Sequence, residues 1–126
     1  MKKRFVLLIA TSSVLLAHAG TEKPWDGTYT SYKGKYLSYS NDLDEKQPPT
    51  RRDRKMAFIV EGQMAKEMFE AIGPDLTDAC GASVRLRIRE KGDVECTHDG
   101  DNRASPYTCR FGLNMATGKS IAGSTC

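Results

Sequence analysis

Apolar and polar positions repeat in two ways along the chain, and the first predicts a strand followed by a helix. Residues 56–60 form a short apolar run that is typical of a buried strand. Apolar residues then recur at steps of three and four, which places them on one face of a helix: Met64, Ala65, Met68, Phe69 and Ile72. Gly73 and Pro74 end it, because glycine favours a left-handed cap and proline cannot continue a helix. We expect a helix over residues 62–72, packed on a sheet.

The last third of the chain shows the second pattern, a strict alternation that is typical of a half-buried strand. In residues 84–89 every apolar residue is followed by an arginine, so that Arg85, Arg87 and Arg89 share one face. Residues 94–96 and 107–111 are further strand candidates. The polar connection between them predicts an antiparallel hairpin.

Four cysteines are expected to form two disulfides. An even number of cysteines in an exported chain favours disulfides over a zinc site, whose compact C-x-x-C spacing is absent. Four cysteines allow three pairings. Cys96 can face Cys109 across the hairpin, which sets His98 opposite Tyr107 and leaves a second bridge: Cys80 with Cys126.

The connection before this hairpin determines which face carries the arginines. A three-residue loop, residues 91–93, would set Ile88 opposite Cys96 on the inner face. We expect this arrangement, because the alternative of a two-residue turn at Lys91 and Gly92 mixes apolar and charged side chains on one face. The outer face then carries a row of charges: Arg89, Glu95 and Arg110.

The start of the predicted domain is rich in tyrosine and threonine, which favour strands. Residues 28–32 and 35–39 predict a hairpin around a tight turn at Lys33 and Gly34. Four of the five tyrosines lie here, and they suit either an ordinary strand or an aromatic binding surface: Tyr29, Tyr32, Tyr36 and Tyr39. Residues 40–55, with two prolines and many charges, predict an exposed loop.

Residues 1–19 predict a secretory signal peptide. They have a basic start, a short apolar middle and an Ala-His-Ala site before Gly20. The apolar run is shorter than the roughly 20 residues that span a bilayer, so we expect no transmembrane segment. We therefore expect a periplasmic or secreted protein after cleavage near Ala19.

Removal of this peptide changes the charge of the chain. The 19 Lys and Arg exceed 16 Asp and Glu, but Lys2, Lys3 and Arg4 leave with the signal peptide. The remaining charges balance, which removes the electrostatic argument for nucleic-acid binding.

These patterns predict an α+β fold. We expect a single small domain over residues 20–126, with one helix packed on an antiparallel sheet of about six or seven short strands and two disulfides.

The common catalytic sets have no parts in this domain. Its single histidine, His98, is expected to pack inward, and both disulfides consume the thiols, which excludes Ser-His-Asp and Cys-His mechanisms. Gly118, Lys119 and Ser120 imitate a phosphate loop, but Leu113 stands where that motif needs glycine. We predict no catalytic residue, metal site or cofactor. Carboxylate pairs such as Asp99 with Asp101 leave an enzyme as an alternative.

The sequence favours a small, non-catalytic binding protein of the bacterial periplasm. We expect a protein-binding inhibitor or immunity-type module whose partner has an acidic surface, because arginine recognises carboxylates well. The alternatives are a small envelope enzyme acting on glycan or phosphate, and a glycan or envelope-ligand binder that uses the tyrosines. The candidate binding residues are Arg85, Arg87, Arg89, Arg110, Tyr32 and Tyr36.

Overall fold

The computed structural model describes residues 24–126, in which the chain forms six strands and one helix. In chain order they are β1 (Lys33–Tyr39), β2 (Lys55–Glu61), α1 (Gln63–Ala71), β3 (Leu86–Lys91), β4 (Val94–Asp99), β5 (Tyr107–Asn114) and β6 (Lys119–Ile121). The α+β prediction is confirmed, with one helix against an antiparallel sheet and two disulfides. The predicted signal peptide falls outside the described residues.

The sheet has the strand order β1-β2-β5-β4-β3. Along one edge, β5 pairs with two strands in turn. Its first half pairs with β4, and its second half pairs with β6. The predicted register of β4 and β5 is confirmed, since Cys96 lies opposite Cys109 and His98 opposite Tyr107. Cys96 and Cys109 form one disulfide, and Cys80 and Cys126 form the other.

One side of the sheet, the helix side, carries α1. Ala65 and Phe69 on the apolar face of α1 are buried against one cross-strand row of the sheet. That row runs from β2 through β5 to β4: Val60, Cys109 and Cys96. The predicted helix and its packing are therefore confirmed. Full burial of one large apolar side chain such as Phe69 stabilises the fold by about 1.5–3 kcal/mol.

The opposite side, the far side, is partly covered by chain without regular structure. After β6 the chain leaves the sheet at Gly123, which is buried so close to Phe111 that a methyl group there would overlap the Phe111 backbone. The final residues then reach Cys80 through the Cys126 disulfide. Ile88 of β3 is only 3% exposed on this side. The far side therefore has a second, smaller apolar layer.

The predicted register of β3 and β4 is wrong by one residue. The hairpin turns at Gly92 and Asp93, and Gly92 has a φ of 59°. Glycine adopts this conformation without steric penalty at the first position of a two-residue hairpin turn. Arg89 consequently lies opposite Cys96, and the predicted neighbour of Cys96, Ile88, lies on the other face.

The predicted hairpin at the start of the domain is also wrong. Lys33 and Gly34 lie within the continuous strand β1, whose partner is β2, and residues 28–32 precede the strand without belonging to one. Gly34 permits close packing instead of a turn. A Cβ atom there would come within 2.9 Å of the Ile59 carbonyl oxygen and 2.6 Å of the Tyr32 ring.

Candidate functional site

Arg87 and Arg89 lie on the helix side, where they join β3 to the end of α1. Their Nε atoms donate to the two carboxylate oxygens of Asp75, at 2.7 Å from Arg87 and 2.5 Å from Arg89. The Arg89 Nη1 atom also donates to the carbonyl oxygens of Phe69 and Ile72, at 2.8 and 3.0 Å. Cations at a helix C-terminus satisfy carbonyls that have no partner within the helix.

The same arginines interact with an aromatic ring and a carboxyl group. The guanidinium carbon of Arg89 lies 4.2 Å from the centre of the Phe69 ring, and that of Arg87 lies 5.2 Å from it. Hydrogen bonds from Arg87 and then Arg89 lower the pKa of the Asp75 carboxyl to about 2. Both guanidinium groups therefore have several partners inside the protein.

The other two candidate arginines lie apart from this pair. Arg85 precedes β3 and forms an exposed ion pair with Asp101. Arg110 lies on the far side, 3.8 Å from the Glu95 carboxylate. The predicted row of Arg89, Glu95 and Arg110 on one face is wrong, because the shift in register moves Arg89 to the other face. A binding role for the four arginines stays a prediction.

Tyr32 and Tyr36, the remaining candidate residues, lie at the edge of the sheet and are both exposed. Tyr36 is 72% exposed and pairs in register with Phe58 of β2. Phe58 in turn stacks on Phe111 of β5, with ring centres 5.1 Å apart. The three aromatic residues form a cross-strand row that runs from the sheet edge towards its centre, an arrangement that stabilises sheets.

This row belongs to a larger apolar surface that α1 does not cover. The helix has nine residues and is about 13 Å long, whereas β5 with eight residues spans about 25 Å. The helix therefore spans only about half the length of β5. We call the part of the helix side that lies beyond α1 the open face. Its half-buried or exposed apolar residues are Tyr36, Met56, Phe58, Leu113 and Met115, and Phe111, which packs against the core under α1, lies at its border.

Three arginines border the open face where β2 begins. The Met115 amide donates to the Arg54 carbonyl oxygen at 2.9 Å, which extends the pairing of β2 and β5 by one residue. A shallow groove of about 340 Å³ lies between Arg54, Met115 and the preceding loop residues Arg51 and Arg52. Within residues 24–126 none of these three guanidinium groups forms an ion pair. They are free to meet carboxylates on a partner.

His98 is half-buried and lies beside Tyr107, as predicted. Its ring centre is 4.7 Å from that of Tyr107 and 6.1 Å from that of Phe69. Its Nδ1 atom is buried and has no hydrogen-bond partner within the described part of the chain. The ring contacts are therefore aromatic, and Arg87 lies opposite His98 on β3. This site contributes packing.

Comparisons with protein-family models, with curated proteins and with solved structures found no match to this chain. Residues 24–126 contain no cluster of three His, Cys, Asp or Glu side chains that could hold a metal ion. The same stretch has no helix that is both long and apolar enough to cross a membrane.

The sequence patterns did not reveal the open face as a surface. Residues 56–60 are an unbroken apolar run, so the pattern does not separate Val60, under the helix, from Met56 and Phe58, beyond it. The lengths predicted from the sequence, a helix over residues 62–72 and a strand over 107–111, did not show that β5 extends beyond the helix. A nine-residue helix cannot cover both ends of an eight-residue strand.

Proposed function

We propose that this chain is an exported, non-catalytic binding protein that docks an acidic protein partner on the open face. The main support is that the aromatic and methionine residues of the open face lie next to three arginines that form no ion pair, Arg51, Arg52 and Arg54. Aromatic residues, methionine and arginine are the residue types enriched at protein interfaces. Large exposed apolar patches on a small domain mark interaction sites.

The shape of the surface favours a protein over a small molecule. The open face is the plane of a sheet, and its exposed members Tyr36 and Met115 lie at opposite ends of it. Small ligands generally occupy concave sites that surround them, whereas protein partners cover flat areas. The arginines at one end would fix the orientation of the partner through paired hydrogen bonds to its carboxylates.

The exposed edge of β1 adds a second means of recognition. β1 ends the strand order, and Lys33 and Lys35 are exposed along it. Lysine on an edge strand opposes indiscriminate pairing with other chains. An acidic extended segment of the partner would neutralise that protection and pair with the edge. The lysines of the β1 edge, like the arginines of the open face, therefore favour an acidic partner.

Export is part of the proposal. Two disulfides in a domain of this size are typical of proteins that fold in an oxidising compartment. Together with the predicted signal peptide, they support a periplasmic or secreted location. An inhibitor or immunity-type role fits a small rigid domain whose binding surface is formed in advance.

The test is a capture experiment from periplasmic extract with matched variants. We expect one partner bound in stoichiometric amount, its binding reduced at least about tenfold by Arg54→Glu and by Met115→Asp. Arg103→Glu and Val84→Asp are the controls, because both positions are exposed and lie outside the open face. The controls should bind as the unmodified protein does.

Three outcomes would contradict the proposal. A partner that binds all four variants equally well must use another surface. Retention of glycan without protein, lost on Tyr32→Ala and Tyr36→Ala, would favour the alternative of a glycan binder. Measured hydrolysis of an envelope substrate that is lost on changing single carboxylates would establish an enzyme instead.

A further inference from the structure

The far side of the sheet contains a cavity that the proposed function does not use. Its volume is about 600 Å³, within the range of about 300–1,000 Å³ that is usual for small-molecule sites. The floor is formed by residues of five strands, and its apolar members are Leu37, Ala57, Ile59, Leu86 and Ile88.

Two chain segments form the walls. On one side stands the loop between β1 and β2, through Leu43 and Lys46. On the other side stands the C-terminal segment, residues 123–126, which the disulfide from Cys126 to Cys80 holds over the sheet. A covalent bond therefore maintains one wall, so that the cavity does not depend on a ligand to exist.

Arg110 projects from the apolar floor and lacks a hydrogen-bond acceptor. Its side chain is 33% exposed, and its ion pair with Glu95 at 3.8 Å is too long for a hydrogen bond. Within residues 24–126 no carbonyl or carboxylate accepts from its guanidinium group. A guanidinium has five N–H donors, and those of Arg110 are available to an acceptor that enters the cavity. An anion in the cavity would satisfy them.

The other charged side chains of the cavity also favour an anion. Lys35 lies in the same cross-strand row as Arg110, with Ile59 between them, and Lys46 lies on the wall. Neither lysine forms an ion pair within the described residues. Glu95 is the one acidic side chain of the lining. It pairs with Arg110 and therefore competes with an anion for this guanidinium group.

We propose that this cavity binds a small apolar molecule with a single carboxylate. The apolar body lies over Ala57, Ile59 and Leu37, and the carboxylate accepts paired hydrogen bonds from Arg110. Multiply charged anions fit less well, because most of the floor is apolar and Glu95 repels a second negative charge. This site lies on the opposite side of the sheet from the open face and goes beyond the proposed function.

The test uses eight-carbon probes that differ only in the head group. Octanoate, octanamide and octylammonium are titrated into the exported, disulfide-bonded protein and followed by calorimetry and by amide chemical shifts. We expect octanoate to bind at least about tenfold more tightly than octanamide, since the neutral amide cannot replace a charge-assisted hydrogen bond. Octylammonium should not bind. Acetate, which has the charge without the apolar body, should bind much more weakly than octanoate.

Variants of the ion pair make the test specific. Arg110→Gln should abolish the preference for octanoate over octanamide, and Glu95→Gln should strengthen octanoate binding, because it removes the competing carboxylate. The Glu95 variant keeps the test decisive if the Arg110 variant fails to fold. Arg103→Gln, an exposed arginine outside the cavity, is the control and should leave all affinities unchanged.

Three results would overturn the inference. The first is equal affinity of the unmodified protein for octanoate and octanamide. The second is no binding of octanoate up to about 10 mM. The third is a set of octanoate-induced chemical-shift changes that lie away from residues 57–59, 95–97 and 123–126.

Discussion

Asp75 illustrates, at the scale of a single residue, how one carboxylate organises the arginines of β3. It accepts two hydrogen bonds from Arg87 and one from Arg89, and Arg89 also donates to the carbonyls at the end of α1. Hydrogen bonds to the ionised form lower a carboxyl pKa, here from 3.8 to about 2. Asp75 therefore links the stability of the helix-to-sheet contact to pH.

The sign of this linkage gives a prediction for Asp75→Asn. A carboxyl whose pKa is lower in the folded protein stabilises the fold above its ordinary pKa, and the stabilisation is lost as the pH falls from about 4 to about 2. The variant should be less stable than the unmodified protein at pH 7, and the difference should shrink below pH 4. Urea unfolding across this pH range measures it. A stability difference that does not depend on pH would contradict the role assigned to Asp75.

Arg87 and Arg89 also show what alternation can and cannot reveal. The alternation correctly placed Arg87 and Arg89 on one face of the strand and Leu86 and Ile88 on the other, whereas Val84 and Arg85 precede β3. Which face turns inward depended on a turn one residue shorter than expected. On the helix side, Arg89 packs over the Phe69 ring and donates to a carbonyl at the end of α1. On the far side, Ile88 is buried in a separate apolar layer. Neither feature is visible in a strand pattern.

At the scale of elements, β5 changes its partner strand from β4 to β6 along one edge, and this change sets the path of the C-terminal segment. β4 pairs as far as Arg110 and β6 pairs from Gly112 onward, so that Phe111 lies between the two partners. Gly123 packs on the Phe111 backbone at this junction. The junction directs the C-terminal segment across the far side, where it becomes a wall of the cavity.

Gly123→Ala tests this packing. A methyl group at position 123 would overlap the Phe111 backbone, so the segment has to move and the fold should lose about 1–3 kcal/mol of stability. Thermal and urea unfolding measure the loss. Ser124→Ala, one residue later, is the control and should change the stability by less than about 0.5 kcal/mol. Equal stability of the two variants would show that Gly123 does not pack as described.

The elements most accurately predicted from sequence are those with local determinants. The 3.6-residue period and the Gly73–Pro74 stop defined α1, and the facing cysteines defined the register of β4 and β5. The hairpin around Gly34 failed because glycine marks close approach as well as turns, and only the partner strand distinguishes the two. The open face and the cavity depend on which elements cover the sheet, which is decided by contacts distant in sequence.

At the scale of the whole molecule, the sheet separates two surfaces with different chemistry. The helix side carries an apolar face bordered by arginines, and the far side carries an open cavity into which Arg110 projects. The disulfide from Cys80 to Cys126 belongs to the second surface alone. Removing it should therefore affect the cavity and leave partner binding intact.

The double variant Cys80→Ser/Cys126→Ser tests that separation. The bridge closes a segment with a sequence separation of 46, and loss of such a loop is expected to lower stability by about 4 kcal/mol. Octanoate affinity should fall with it, because the wall at residues 123–126 is released. Partner capture through the open face should persist at a temperature where the variant is folded. Loss of partner binding alone would contradict this division of the molecule.

The central claim, that the open face binds a protein partner, is tested most directly by amide hydrogen exchange on the purified complex. Exchange should slow at residues 33–38, 54–58 and 111–116, relative to the free protein. Exchange at residues 84–90 and 123–126 should be unchanged, since these segments lie outside the open face. Protection confined to the second group, with none in the first, would contradict the claim.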